Sequence, residues 1–171
     1  EVRGPFGRFG WKRAQANAPI VVMAGGSGMA PLLAMFEAAG EEERRREVLF
    51  FYGARSEEDL YELAVIEAIQ RQWDASFTYV EVVEHASEGW FGERGLVTQS
   101  FARAMKEGRC GPQSGAQLYM CGPPGMIDEA ERIAMEYGWE ASHIHHDRFV
   151  VREDRGLVEG GDLPEQERLV G

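Results

Sequence analysis

The chain has 171 residues, 44% of them hydrophobic, and a formal net charge of −11 at pH 7, which suits one folded domain with a single sizeable core. The acidic balance argues against binding to nucleic acid or to an anionic membrane surface, and no apolar run approaches the ~20 residues that span a bilayer. Two cysteines provide no disulfide framework, and with no signal-peptide pattern at the start they favour a cytoplasmic location.

Short β-rich apolar runs alternate with longer amphipathic stretches along the chain. Five runs are predicted to be strands, at residues 19–24, 47–53, 77–83, 117–121 and 143–150. Four stretches between them are predicted to be helices, at residues 29–39, 60–72, 96–105 and 124–137. This alternation is typical of βαβ units, so the sequence predicts a doubly wound α/β fold with a five-stranded parallel sheet in the order 3-2-1-4-5.

A glycine-rich turn follows the first predicted strand and opens the first predicted helix. It reads Gly-Gly-Ser-Gly-Met-Ala-Pro at 25–31, in the context that a phosphate-binding turn requires. Gly26 and Gly28 allow a sharp turn and a close approach to a pyrophosphate, and the helix start adds N–H donors and a positive dipole end. Pro31 fits the first helical turn. Tight packing is the alternative reading of such glycines, and it stays open.

A second distinctive segment, Cys-Gly-Pro-Pro-Gly-Met at 121–126, lies between the fourth predicted strand and its helix. In a doubly wound sheet ligands bind where the strand order reverses. The predicted order therefore places this segment and the glycine turn on either side of one crevice. A small buried hydrophobic residue is the alternative reading of Cys121.

These two segments, together with Tyr-Gly-Ala-Arg at 52–55, resemble the ferredoxin–NADP reductase superfamily in order and spacing. Gly-Pro-Phe-Gly-Arg-Phe at 4–9 resembles that family's junction between flavin and nucleotide domains, so the resemblance covers about residues 4–150. Within the superfamily, the chain looks most like the NAD-binding domain of reductase components of bacterial multicomponent monooxygenases, those for methane, phenol, toluene or propane. The implied fold is the nucleotide-binding domain of the ferredoxin reductase type.

The resemblance implies three parts: the end of a flavin domain with an interdomain linker at 1–10, an NAD(P)-binding domain at 11–150, and, from its composition, an acidic flexible tail at 151–171. It implies hydride transfer from NAD(P)H to FAD, which an FAD-binding domain of the same parent chain would hold. Electrons would then pass to an iron–sulfur cluster in the parent, and to a ferredoxin or oxygenase component. The isolated domain is expected to be inactive alone.

The resemblance also implies roles for individual residues. Gly26, Ser27 and Gly28 are expected to cradle the pyrophosphate, and Cys121 is expected near nicotinamide C4 as the catalytic residue. Phe149 matches an aromatic region near the flavin, with a core phenylalanine as the alternative. The cofactor-binding residues expected in these two segments and at Phe149 are Gly26, Ser27, Gly28, Met29, Pro31, Gly122, Pro123, Pro124 and Phe149.

The choice between NADH and NADPH is expected to depend on Arg-Ser-Glu-Glu-Asp at 55–59, which follows the second predicted strand. A carboxylate there accepts hydrogen bonds from ribose hydroxyls and repels a 2′-phosphate. Asp59 lies where NADH-preferring relatives have a selecting carboxylate, so NADH is the expected cofactor, while Arg55 keeps NADPH open. Acids that complement a helix dipole are the alternative reading.

Other functions stay open at this point. The flavin subunit of a sodium-pumping NADH:quinone reductase is also similar around 4–9 and 52–56, and a non-catalytic nucleotide-binding module would share the same turn. A doubly wound hydrolase or transferase could use Ser27 or Cys121 as its nucleophile, but it would need a base. No metal site is expected at His143 and His145, because two ligands on one strand face do not make a closed site.

Overall fold

A computed structural model of the chain describes residues 9–12, 14–15, 17–112 and 115–148. Most of the predicted interdomain junction, Phe149 and the predicted tail at 151–171 lie outside the described residues.

Within the described residues, six strands form one sheet in which all neighbours are parallel. Their order is β4-β3-β2-β1-β5-β6. The strands are β1 (Ile20–Gly25), β2 (Val48–Ala54), β3 (Phe77–Val83), β4 (Glu93–Arg94), β5 (Gln117–Gly122) and β6 (Ile144–Arg148).

The predicted fold class is confirmed, and the five predicted strands occur in the predicted order. The prediction of five strands was wrong by one, because β4 adds a two-residue strand beside β3. Both residues of β4 are charged, so this strand has no apolar pattern that the sequence could reveal.

Helices pack on both faces of the sheet, α1 and α3 against one face and α4 and α5 against the other. No helix in the described ranges is long and apolar enough to cross a membrane. The helices are α1 (Met29–Glu37), α2 (Glu41–Arg44), α3 (Leu63–Gln72), α4 (Val97–Lys106) and α5 (Pro124–Glu136).

The helices of the structure differ from the predicted ones at two places. The short helix α2 was not predicted, because its four residues are too few to show an amphipathic period. Helix α3 begins at Leu63 and not at residue 60, since Glu57–Asp59 form a separate 3₁₀ turn and Glu62 has a left-handed backbone with φ of 60°. The other three predicted helices agree with the structure within about two residues at each end.

The core divides into two clusters because the sheet is covered on both faces. All six residues of β1 are buried, and its side chains alternate between the faces: Val21 and Met23 pack toward α4 and α5, while Val22 and Ala24 pack toward α1 and α3. Burial on both faces explains why this strand is apolar throughout.

Truncation of a core aromatic tests this packing. Phe101 on α4 is fully buried and lies edge-on to Phe51, with ring centroids 6.1 Å apart. We expect Phe101→Ala to lower the free energy of unfolding by about 3–5 kcal/mol, measured by urea denaturation. Phe91→Ala is the matched control, because Phe91 is fully exposed, and it should change stability by less than about 0.5 kcal/mol. Similar losses in the two variants would contradict the described core.

Candidate functional site

A cleft of about 800 Å³ opens at the carboxyl ends of the strands, where β1 separates β2 from β5. This is the point at which the strand order reverses, and ligands of doubly wound sheets bind at such points. One wall consists of the glycine turn after β1 and the proline segment after β5, and the other wall comes from the segments that follow β2, β3 and β4.

The glycine turn packs directly against the end of β5. A Cβ atom on Gly28 would lie 2.0 Å from the carbonyl oxygen of Cys121 and 2.4 Å from its carbonyl carbon, a distance that no side chain tolerates. Only glycine allows this approach, so the reading of tight packing holds for Gly28. The contact also shows that the two sequence segments meet at one edge of the sheet, as the predicted strand order requires.

Gly26 has a different role from that of Gly28. Its backbone is left-handed, with φ of 51°, it is exposed, and a Cβ built on it would meet no atom within 4 Å. Glycine is therefore favoured there for its backbone conformation and not for packing. Gly26 and the exposed Ser27 line the cleft immediately before the N-terminus of α1, where N–H groups and the helix dipole favour an anion.

The proline segment forms the rest of this wall. Pro123 and Pro124 are exposed and line the cleft, and Pro124 is the first residue of α5, where its missing N–H costs no hydrogen bond. Met126 covers the seam between the strand ends, since a Cβ on Gly25 would lie 2.6 Å from its sulfur and a Cβ on Gly122 would lie 2.7 Å from its methyl carbon. The wall is therefore apolar and held in place by close backbone packing.

Five predicted site residues that the structure describes do not line the cleft: Gly28 and Gly122, which pack behind its wall, and Met29, Pro31 and Cys121. Met29 is fully buried in the core beneath α1, and Pro31 is the third residue of that helix. The side chain of Cys121 packs in the same cluster, on the face of the sheet that α1 and α3 cover. Burial, assisted by the negative charge of Asp147, raises the Cys121 pKa to about 12, so the group is a neutral thiol near pH 7. Its catalytic role stays a prediction.

The opposite wall carries the segment predicted to select the nucleotide. Arg55 and Asp59 are exposed and both line the cleft. Asp59 Oδ2 accepts hydrogen bonds from the backbone N–H (3.0 Å) and hydroxyl (2.8 Å) of Ser56. The carboxylate therefore caps the N-terminus of its own 3₁₀ turn, which agrees with the alternative that acids here stabilise a helix start. These hydrogen bonds also fix the orientation of Asp59 beside the cleft.

Among the cleft residues that sequence reasoning missed, two carry polar side chains, Tyr61 and Glu84. Tyr61 lines the cleft, and its hydroxyl donates a hydrogen bond to the Gly26 carbonyl oxygen at 3.2 Å. Glu84 also lines it, directly after β3. The position of Glu84 at the carboxyl end of a predicted strand was a usable signal, whereas no motif identified Tyr61.

The loop between β3 and α4 borders this wall and is tied to it. The Arg94 guanidinium donates to the carbonyl oxygens of Ala86, Ser87, Glu88 and Trp90 at 2.6–3.2 Å. The Ser87 N–H donates to Glu57 Oε1 at 2.8 Å, and the hydrogen bonding from Ser87 lowers the Glu57 pKa. The loop and the 3₁₀ turn that ends at Asp59 are therefore held together.

The described residues favour neither a nucleophile nor a metal centre. No histidine occurs among the described residues that line the cleft, so Ser27 has no imidazole base there. His145 instead contacts Gln117 Oε1 at 2.8 Å through Nε2, and His146 lies 3.0 Å from Glu131. In the described ranges no three His, Cys, Asp or Glu side chains are grouped to hold a metal ion.

Comparisons with known proteins match this geometry. The family model described as oxidoreductase NAD-binding domain matches residues 22–132. The xylene/toluene monooxygenase electron transfer component XylA of Pseudomonas putida is 39% identical over 154 residues, which cover 88% of this chain and 41% of that protein. The reductase component of propane 2-monooxygenase from Rhodococcus jostii (strain RHA1) is 34% identical over 152 residues, covering 85% and 39%. The crystal structure of Amycolatopsis cytochrome P450 reductase GcoB has a TM-score of 0.67 at 26% identity, covering 78% of this chain and 38% of that one.

The chain spans about two fifths of the length of these two curated relatives. The resemblance predicted from the sequence is confirmed, since both are components of monooxygenase systems. The family model covers both the glycine turn and the proline segment. The chain therefore belongs to the family of oxidoreductase NAD-binding domains.

Proposed function

We propose that the chain is the NADH-binding half of an FAD-dependent electron-transfer reductase that serves an oxygenase. The observation that carries this proposal is the contact between Gly28 and the Cys121 carbonyl group, because it joins the glycine turn and the proline segment into one wall of a dinucleotide-sized cleft. When bound, NADH supplies a hydride that the flavin accepts at N5. The residues of this chain provide binding and orientation.

The pyrophosphate is assigned to the glycine turn. Gly26 and Ser27 are exposed at the N-terminus of α1, where backbone N–H groups and the positive end of the helix dipole attract a doubly charged anion. The open space around Gly26 leaves room for phosphate oxygens. Gly28 holds the turn in place because it packs against the end of β5.

The nicotinamide is assigned to the proline segment. Pro123 and Pro124 offer a rigid apolar surface for a flat ring, and Gly122 fixes their position by its close approach to Gly25. Cys121 lies two residues before Pro123, with its thiol buried behind this surface, so it would act as a neutral thiol from behind the ring and not as a thiolate. Such positioning contributes to hydride transfer because donor and acceptor atoms must be held in line, roughly 3–3.5 Å apart.

The adenosine ribose is assigned to the opposite wall. Asp59 and Glu84 line the cleft there, and Arg55 is the one basic residue among the described residues of the lining. A 2′-phosphate would add negative charge beside two carboxylates, whereas ribose hydroxyls can donate hydrogen bonds to them. The charge balance of this wall supports NADH as the cofactor.

The rest of the electron-transfer path is assigned to the parent protein. We place the end of a flavin domain and a linker at 1–10, the NADH-binding domain at 11–150 and an acidic tail at 151–171. FAD would be held mainly by a domain outside this chain, and a parent iron–sulfur cluster, a ferredoxin or an oxygenase component would receive the electrons. The relatives described above are parts of monooxygenase systems, which supports this path over a sodium-pumping quinone reductase or a non-catalytic module.

Nucleotide titration tests the proposed function. We expect the chain to bind NADH more tightly than NADPH, measured by calorimetry and by NADH fluorescence. Without an added flavoprotein it should not sustain NADH-dependent reduction of ferricyanide, since the flavin is assigned to another domain. Failure of the folded chain to bind either nucleotide would contradict the proposal.

Removal of the Asp59 charge tests the basis of cofactor choice. Asp59→Asn keeps a cap for Ser56 but loses the carboxylate, so we expect the ratio of NADPH to NADH dissociation constants to fall by about tenfold. The measurement is calorimetric titration with both nucleotides. Glu58→Gln is the matched control, because Glu58 is an exposed neighbour that does not line the cleft. An unchanged ratio in Asp59→Asn would show that this carboxylate does not select the nucleotide.

A methyl group at Gly28 tests the contact that builds the wall. We expect Gly28→Ala to weaken NADH binding by more than about tenfold and to lower stability by about 1–3 kcal/mol, because the added Cβ would overlap the Cys121 carbonyl group. Titration and urea denaturation measure the two effects. Gly125→Ala is the control, since Gly125 lies in α5 with no atom within 4 Å of an added Cβ. Unchanged NADH affinity in Gly28→Ala would show that the contact between Gly28 and Cys121 is not needed for nucleotide binding.

A further inference from the structure

Tyr61 links the two walls of the cleft. It belongs to the segment between the 3₁₀ turn and α3, and its hydroxyl donates a hydrogen bond to the Gly26 carbonyl oxygen at 3.2 Å. Gly26 lies on the wall formed by β1 and β5, so this bond joins the wall assigned to the ribose with the turn assigned to the pyrophosphate. Neither the sequence motifs nor the proposed function uses Tyr61.

The tyrosine is held in this place by its surroundings. Its ring packs edge-on against that of Tyr52, with centroids 6.0 Å apart and an interplanar angle of 88°. The Tyr52 hydroxyl in turn donates to the Asp59 carbonyl oxygen at 3.2 Å. Burial raises the pKa of both tyrosines further above neutral pH, where a phenol is in any case protonated and can donate.

The backbone next to Tyr61 is strained. Glu62 has a left-handed conformation, with φ of 60°, which is unfavourable for a residue other than glycine. Such a conformation persists when surrounding contacts determine it, and it occurs preferentially at ligand sites. Here the strained residue lies directly between Tyr61 and Leu63, the first residue of α3.

The hydrogen bond from Tyr61 orients one peptide group of the glycine turn. The Gly26 carbonyl oxygen also accepts the N–H of Met29, so both of its lone pairs are engaged. In a trans peptide the carbonyl and the following N–H point in opposite directions. Turning the Gly26 oxygen toward Tyr61 therefore directs the Ser27 N–H to the opposite side, and the hydroxyl proton offsets the partial negative charge that this oxygen would present to an anion.

We propose that Tyr61 is a positioning residue for the pyrophosphate of the dinucleotide, acting through the Gly26–Ser27 peptide group. The inference rests on the proposed function and adds to it a residue outside the family motifs. It also explains how the selective wall and the phosphate turn keep a fixed separation, since Tyr61 follows Asp59 by two residues.

Removal of the hydroxyl group tests this role. We expect Tyr61→Phe to weaken NADH, NADPH and ADP-ribose by the same factor, about three- to tenfold, because one hydrogen bond is lost. Adenosine lacks the pyrophosphate, so its binding, followed by NMR, should not change. Tyr79→Phe is the matched control, because Tyr79 is half-buried and its hydroxyl has no hydrogen-bond partner among the described residues; it should bind all four ligands as the unmodified chain does.

The outcomes separate this role from a general effect on the fold. Unchanged affinities in Tyr61→Phe, or an equal loss for adenosine and ADP-ribose, would overturn the role of Tyr61 while the unmodified chain still binds NADH. A change in the NADH to NADPH ratio would also overturn it, because that ratio belongs to Asp59. If the unmodified chain binds none of the nucleotides, the proposed function fails first and this inference fails with it.

Discussion

The close packing of Gly28 on the carbonyl group of Cys121 is the constraint on which the rest of the site depends. It brings a turn from the first strand and a segment from the fifth within van der Waals contact, although more than ninety residues separate them in the sequence. The parallel pairing of β1 with β5, with Ala24 opposite Cys121, sets the register that makes this contact possible. The cleft exists because two strand ends share one edge of the sheet.

The two walls of the cleft differ in chemistry because different constraints act on them. Backbone packing dominates beside β1 and β5, where glycines and prolines leave few side chains exposed to the cleft. Hydrogen bonds dominate beside β2 and β3, where Asp59 accepts hydrogen bonds from Ser56 and Arg94 donates hydrogen bonds to four carbonyl groups of its loop. Among the described residues that line the cleft, the carboxylates of Asp59 and Glu84 belong to this second wall, and the wall beside β1 and β5 has none.

Strand order, the meeting of the two motifs and the exposure of Asp59 could be predicted because each follows from a local pattern and one topological rule. The position of the Cys121 thiol could not, since which face of β5 it occupies depends on packing against α1 and α3. Strand β4 has two charged residues and no apolar signal. Tyr61 reaches the turn from a segment that ends at Glu62 in a left-handed conformation, and propensity does not anticipate such a residue.

The separation of the cleft segments along the chain has a consequence for folding. During synthesis from the amino end, β1, β2 and β3 can pair as they emerge, but the partner surface for Gly28 is completed only with β5, beyond residue 116. Until then the end of β1 has one open side, and the apolar edge of the strand is available for wrong pairing. The ability to bind nucleotide should therefore appear late in folding. It would indicate that β5 has joined the sheet, and not that the first strands have paired.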